Sequence, residues 1–127
     1  MPETIVLTVG VTVAGGPKIA LNRTIEVDAY DKINVSVPDG AGGLEVELQP
    51  GGSGQVGFLL VSSSRYGDDL TYKVNAGTTD HVLDQPHLLT GTGAVAMLSD
   101  APSKLSFDNA LGDDAQIQLL IGRDATP

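Results

Sequence analysis

The chain has no cysteine. That absence excludes disulfide scaffolds, thiolate zinc sites, cysteine nucleophiles and iron–sulfur clusters together. Tryptophan is also missing, and aromatics make up only 4% of residues. A sugar-stacking cleft would have only Tyr30, Tyr66, Tyr72, Phe58 and Phe107 to draw on. Basic groups are few, 7 against 16 acidic ones, for a formal net charge of -9. Phosphate recognition needs clustered Lys and Arg, so no nucleic-acid partner is expected. Docking on anionic membranes is disfavoured for the same reason. The longest run of large apolar residues is 58–61, far short of the roughly 20 that a membrane helix requires. Residues 1–4 carry no basic n-region and no cleavage site leads into the apolar run at Ile5. No secretory signal is therefore expected, and the expected location is cytoplasmic assembly or a virion.

What is present points to β structure. Hydrophobic residues are 41% of 127, enough for one packed domain spanning 1–127. Ile5, Leu7, Val9, Val11 and Val13 fall on every second position, the period of a strand. Gly15-Gly16-Pro17 breaks the run, and Ile19, Leu21, Ile25 and Val27 resume it. Asp31-Lys32 reads as a turn, after which Ile33, Val35 and Val37 alternate. Leu44, Val46 and Leu48 alternate with Glu45 and Glu47 between two glycine-rich loops at 38–43 and 49–54. Residues 56–61 read as a strand buried on both faces, and 56–74 as a hairpin turning at 66–69. Short phrases follow at 81–84, 88–89 and 94–98, with a helical turn expected only near 99–104. Leu105 and Phe107, then Ile117, Leu119 and Ile121, complete the pattern. About ten strand phrases at this spacing predict an all-β fold: a single antiparallel β-sandwich of jelly-roll or Greek-key type, or alternatively a small β-barrel. The expected core includes Ile5, Leu7, Val9, Val11, Ile33, Val35, Val46, Leu48, Phe58, Leu60, Leu70, Tyr72, Phe107, Ile117, Leu119 and Ile121.

No catalytic constellation is legible. His81 and His87 lie six apart near Asp80 and Asp84, but the spacing fits no standard metal motif, so they read as ordinary hydrogen-bonding histidines. Asp68-Asp69 and Asp113-Asp114 follow glycines and read as solvated turn carboxylates; the calcium-loop pattern is absent. Ser62, Ser63 and Ser64 lack the Gly-x-Ser-x-Gly elbow that lifts a nucleophile. The glycine loops lack the lysine and following helix of a phosphate cradle. No metal and no cofactor is expected, and an enzyme is not.

Some apolar positions look odd for a lone domain. Val6 sits on the polar phase of the first strand, and residues 88–98 carry no charge although the chain is strongly acidic. Val6, Leu88, Leu89, Val95 and Met97 are therefore the expected interface residues. The expected function is that of a non-enzymatic structural protein, such as a phage capsid decoration protein. It would self-associate and join a larger protein assembly. A carbohydrate-binding β-sandwich module is the alternative.

Overall fold

The computed structural model describes residues 3–48, 56–75, 77–98 and 102–124. Its elements are nearly all strands, joined in antiparallel pairs. β1 (Glu3–Thr12) and β2 (Lys18–Val27) form a two-stranded hairpin. One four-stranded sheet runs in the order β3 (Ala29–Val37), β10 (Ala115–Arg123), β5 (Val56–Ser63), β8 (His87–Thr90). The other runs β4 (Leu44–Glu47), β9 (Lys104–Asn109), β6 (Leu70–Val74), β7 (His81–Val82). Between β8 and β9 lies one short helix, α1 (Thr92–Ala96). The pairing is nested: β3 with β10, β4 with β9, β5 with β8, β6 with β7. Pairs β10–β5 and β9–β6 complete the two sheets.

Side-chain alternation explains why these sheets face each other. In β10, Ala115, Ile117, Leu119 and Ile121 point into the core while Gln116 and Gln118 face water. In β9, Leu105 and Phe107 do the same from the opposite sheet. Together with Val37, Leu59, Val61, Val46, Leu70 and Tyr72 they form one buried cluster contributed by both sheets. The expected antiparallel β-sandwich is thus the architecture found.

Several expectations are corrected. Ile5, Leu7, Val9 and Val11 are not in the core; they belong to the separate hairpin and remain at least partly exposed. Ile33 and Val35 are half-buried against the core edge, and Leu60 is half-buried on the other side of its sheet. The turn expected at Asp31-Lys32 lies inside β3, where Asp31 pairs with Ile121. The chain breaks at Asp28 instead, whose N–H donates to the Arg123 carbonyl at 3.0 Å. Residues 56–74 are not a hairpin: β5 and β6 belong to different sheets, and the segment between them crosses from one to the other. Residues 94–98 give no strand, because one helical turn carries Val95 into the core. Of the expected turn at 99–104, residues 99–101 lie outside the described residues and Lys104 opens β9. The loop at 49–54 also lies outside them.

Candidate functional site: an uncovered hairpin face

The β1–β2 hairpin is an arm. Its strands pair with each other over their whole length and barely touch the remaining elements. Ten residues per strand at about 3.4 Å each make it about 34 Å long. The turn at its tip is held by Val13 and Pro17, with Val13 N–H donating to the Pro17 carbonyl at 3.0 Å. Gly15 sits there at φ 71°, a left-handed conformation open to glycine.

Directly opposed residues of an antiparallel pair share a face. Ile5 opposes Ile25, Leu7 opposes Arg23, Val9 opposes Leu21 and Val11 opposes Ile19. One face of the arm is therefore a ladder of aliphatic side chains, with Glu3 opposite Val27 at its root and Arg23 midway. The other face carries Thr4, Thr8, Thr12, Asn22 and Thr24, with Val6 among them. No described part of the chain covers the aliphatic ladder toward its tip. Ile19 is 62% exposed, and Val11, Val13 and Leu21 are exposed too. A two-stranded hairpin is marginal in water on its own. The aliphatic ladder toward the tip of the arm is thus left open to solvent among the described residues.

The root of the arm is fixed. Gly122 of β10 lies beneath it, where a Cβ would stand 2.8 Å from Ile5 Cδ1 and 3.0 Å from Val27 Cγ1. The absence of a side chain lets Ile5 and Val27 settle onto the outer side of the sheet, beside Phe58. Val27 and Phe58 are buried there, outside the main core cluster. Arg123 forms an ion pair with Asp31 at the same corner. The arm therefore leaves the sandwich from an anchored base.

The structure separates the expected interface residues. Val6 is 73% exposed but on the threonine-rich face of the arm. Val95 is 2% exposed and belongs to the core, so it presents nothing to a partner. Leu89 is half-buried against the core. Leu88 and Met97 are exposed, Met97 at 84%. They line a hollow of about 350 Å³ together with Tyr72, His81, His87 and Leu98.

The two histidines meet at that hollow. Tyr72 lies between them, with ring centroids 5.4 Å from His81 and 5.5 Å from His87. Its phenol oxygen is 2.6 Å from His87 Nδ1, which ties β6 of one sheet to the edge strand β8 of the other. Burial pushes the phenol's pKa up, so Tyr72 keeps its proton and can donate it to an unprotonated Nδ1. Asp80 is not part of this group; it pairs with Lys73 at 2.6 Å. Among the described residues no three His, Asp or Glu side chains converge as a metal site would need.

The serines are engaged in local structure. Ser63 Oγ accepts from Arg65 N–H and Ser64 Oγ from Gln116 N–H. Asp114 accepts from Asp39 N–H at 3.0 Å, and Asp113 lies 3.7 Å from Arg65. Among the described residues no helix is long and apolar enough to cross a membrane.

One cluster does set a pH dependence. Asp108 Oδ1 accepts the Gly43 N–H at 2.7 Å, and its other oxygen lies 3.2 Å from Lys73. The Gly43 hydrogen bond first, and then Lys73, hold the Asp108 carboxyl below its ordinary range, against an opposing effect of burial. Hydrogen bonds to Asp80 and Asp108 raise Lys73 in turn. In acid, between the two carboxyl pKa values, the unfolded chain binds more protons than the folded one. Asp108 therefore contributes stability above its unfolded pKa, and this is lost as pH falls through the lower folded value. The Asp108→Asn variant should show a flatter decline in melting temperature below about pH 4. At neutral pH it should cost less than about 1 kcal/mol, since the pair is partly exposed. An acid limb identical to that of the parent would show that Asp108 does not set it.

Compared with known proteins, the chain matches no family model, no curated protein and no solved structure.

Proposed function

We propose that this chain is a non-enzymatic structural protein that works by assembling with other proteins, as a virion component of the capsid-decoration kind. The carrying observation is the arm, an anchored hairpin whose aliphatic ladder no described part of the chain covers. An assembly protein uses such a face to meet its neighbours. Two further points support the reading. The nested strand pairing is the order an eight-stranded jelly roll takes when a long antiparallel ribbon is rolled into two sheets. The hydroxyls of Ser63 and Ser64 accept backbone N–H groups, an arrangement that serves turns and strand ends. The sandwich is then the spacer and the arm the connector, with a capsid or similar shell as the larger partner.

The carbohydrate-binding alternative finds less support. The ring of Tyr72 at the hollow is buried and packed between His81, His87 and Phe107, which leaves no open ring face for a sugar.

The test is the composition of particles. Mass spectrometry of purified virions should find the chain in fixed proportion to the shell protein, and purified chain should sediment with shells that lack it. A chain absent from particles and indifferent to shells would overturn the virion reading. Retention on a polysaccharide panel would favour the alternative in its place.

A further inference from the structure

We infer that the aliphatic face of the arm is covered by the same face of another copy of this chain. The inference deepens the assembly reading above and rests on it, by naming what occupies the connector.

Charge argues for a second copy. Residues 3–27 contain Glu3 and Glu26 against Lys18 and Arg23, so their charges sum to zero, and the full -9 lies on the remainder of the chain. Two copies repel each other through their acidic sandwiches. The arm is the segment through which they can approach without that cost. Its length also carries the contact away from the charged bodies.

Self-complementarity argues the same way. A flat ladder of Val9, Leu21, Val11 and Ile19 offers shape and polarity that fit an identical ladder, and closed symmetry is the default outcome when one patch meets its own kind. The two charged residues on the face, Glu3 at its root and Arg23 midway, do not block this. Arg23 lies on β2, whose outer edge is unpaired in the two-stranded sheet, so its long stem can stay on the ladder while its guanidinium leaves sideways to water. The threonine-rich face opposite remains solvated.

The area allows only a weak contact. With the root seated on β10, an open face of about 20 Å by about 10 Å gives a pair of arms on the order of 400 Å² of flat footprint, before side-chain relief is counted. Specific interfaces begin near about 1,000 Å². Arm-to-arm contact therefore lies at the weak end and the association should respond to concentration.

The experiment is light scattering on the full chain over a concentration series, beside its Val9→Lys, Leu21→Lys and Val6→Lys variants. The parent should reach a multiple of the 13.1 kDa chain mass as concentration rises. Val9→Lys and Leu21→Lys should remain at the single-chain mass, because each buries a charge in the contact. Val6→Lys, on the opposite face, should assemble as the parent does. Thermal melts followed by circular dichroism establish that each variant keeps its sandwich, which the arm barely contacts. A parent that stays monomeric, or a Val9→Lys and Leu21→Lys pair that assembles like the parent, would overturn the inference. Loss of assembly in Val6→Lys alone would move the contact to the other face and overturn it equally. A monomeric chain that still sediments with shells would sink this pairing alone; a self-paired chain absent from particles would sink the virion reading alone.

Discussion

Replacing Phe107 with alanine is expected to lower the unfolding free energy by about 3–5 kcal/mol. Phe107 is fully buried at the middle of β9, directly opposed by Leu44 on β4 and by Tyr72 on β6. Its ring lies 5.6 Å from that of Tyr72, tilted at 46°. Truncation removes the transfer energy of the ring and leaves a cavity between two neighbours that are themselves fixed. Tyr72 is held by His87 through its phenol oxygen, so it cannot swing in to fill the space. Whole domains of this size are stable by only about 5–15 kcal/mol, so the loss should be plain in a denaturant titration. Phe107→Leu, which keeps most of the apolar volume, should lose distinctly less. An alanine variant within about 1 kcal/mol of the parent would mean that the two sheets close up over the gap.

Phe107 was legible in the sequence, as were the inward residues of β4 and β10. There the alternation of apolar and polar side chains is regular, and one face of the sheet has water to meet. The same alternation predicts Ile5, Leu7, Val9 and Val11 in the core, whereas they lie on the arm. Period identifies which side chains share a face but not what that face is laid against. A strand covered by its own domain and a strand covered by a neighbour obey one pattern. The signal that separates them lies in pairing: residues 3–12 and 18–27 match each other row for row, so the hairpin closes on itself and leaves neither strand to the sheets. Asp31 departs from its expected turn for a related reason. A charged pair looks like a turn, yet Asp31 meets Arg123 across the strands and so stays within β3. The helix at 92–96 was hidden by its brevity. Gly91 at φ 86° starts it, and a single turn suffices to bring Val95 inward. The meeting of His81 and His87 at Tyr72 depends on which edge strands of the two sheets come close, a long-range fact that spacing along the chain does not encode.

The last strong effect concerns Asn109, at the end of β9. Asn109 is 1% exposed and the one buried polar residue among those described. Its amide nitrogen donates to the Val37 carbonyl and to the Asp113 carbonyl, both at 2.9 Å, and its amide oxygen accepts from Leu111 N–H at 2.9 Å. Its backbone N–H donates to the Ala41 carbonyl, and its carbonyl accepts from Gly40 N–H. It thereby joins the end of β3, the loop after it and the turn into β10. The Asn109→Asp variant keeps the shape and opens no cavity, so its cost is electrostatic alone. A carboxylate oxygen would face two carbonyl oxygens where the amide had donated to both, and a charge would be buried without a partner. Each unmet group costs about 1–3 kcal/mol, more when charged, so a loss of about 3–5 kcal/mol is expected at neutral pH. The introduced carboxyl should have its folded pKa raised, since burial and the two carbonyls both oppose ionisation. The folded state then binds more protons than the unfolded one above about pH 4, and the variant's stability falls as pH rises through that range. Its deficit against the parent should therefore shrink on acidification, as the protonated acid regains one donor. Urea titrations of parent and variant at neutral and acidic pH measure this directly. A small deficit that does not change with pH would mean that the backbone alone holds this corner and that the Asn109 side chain is dispensable to it.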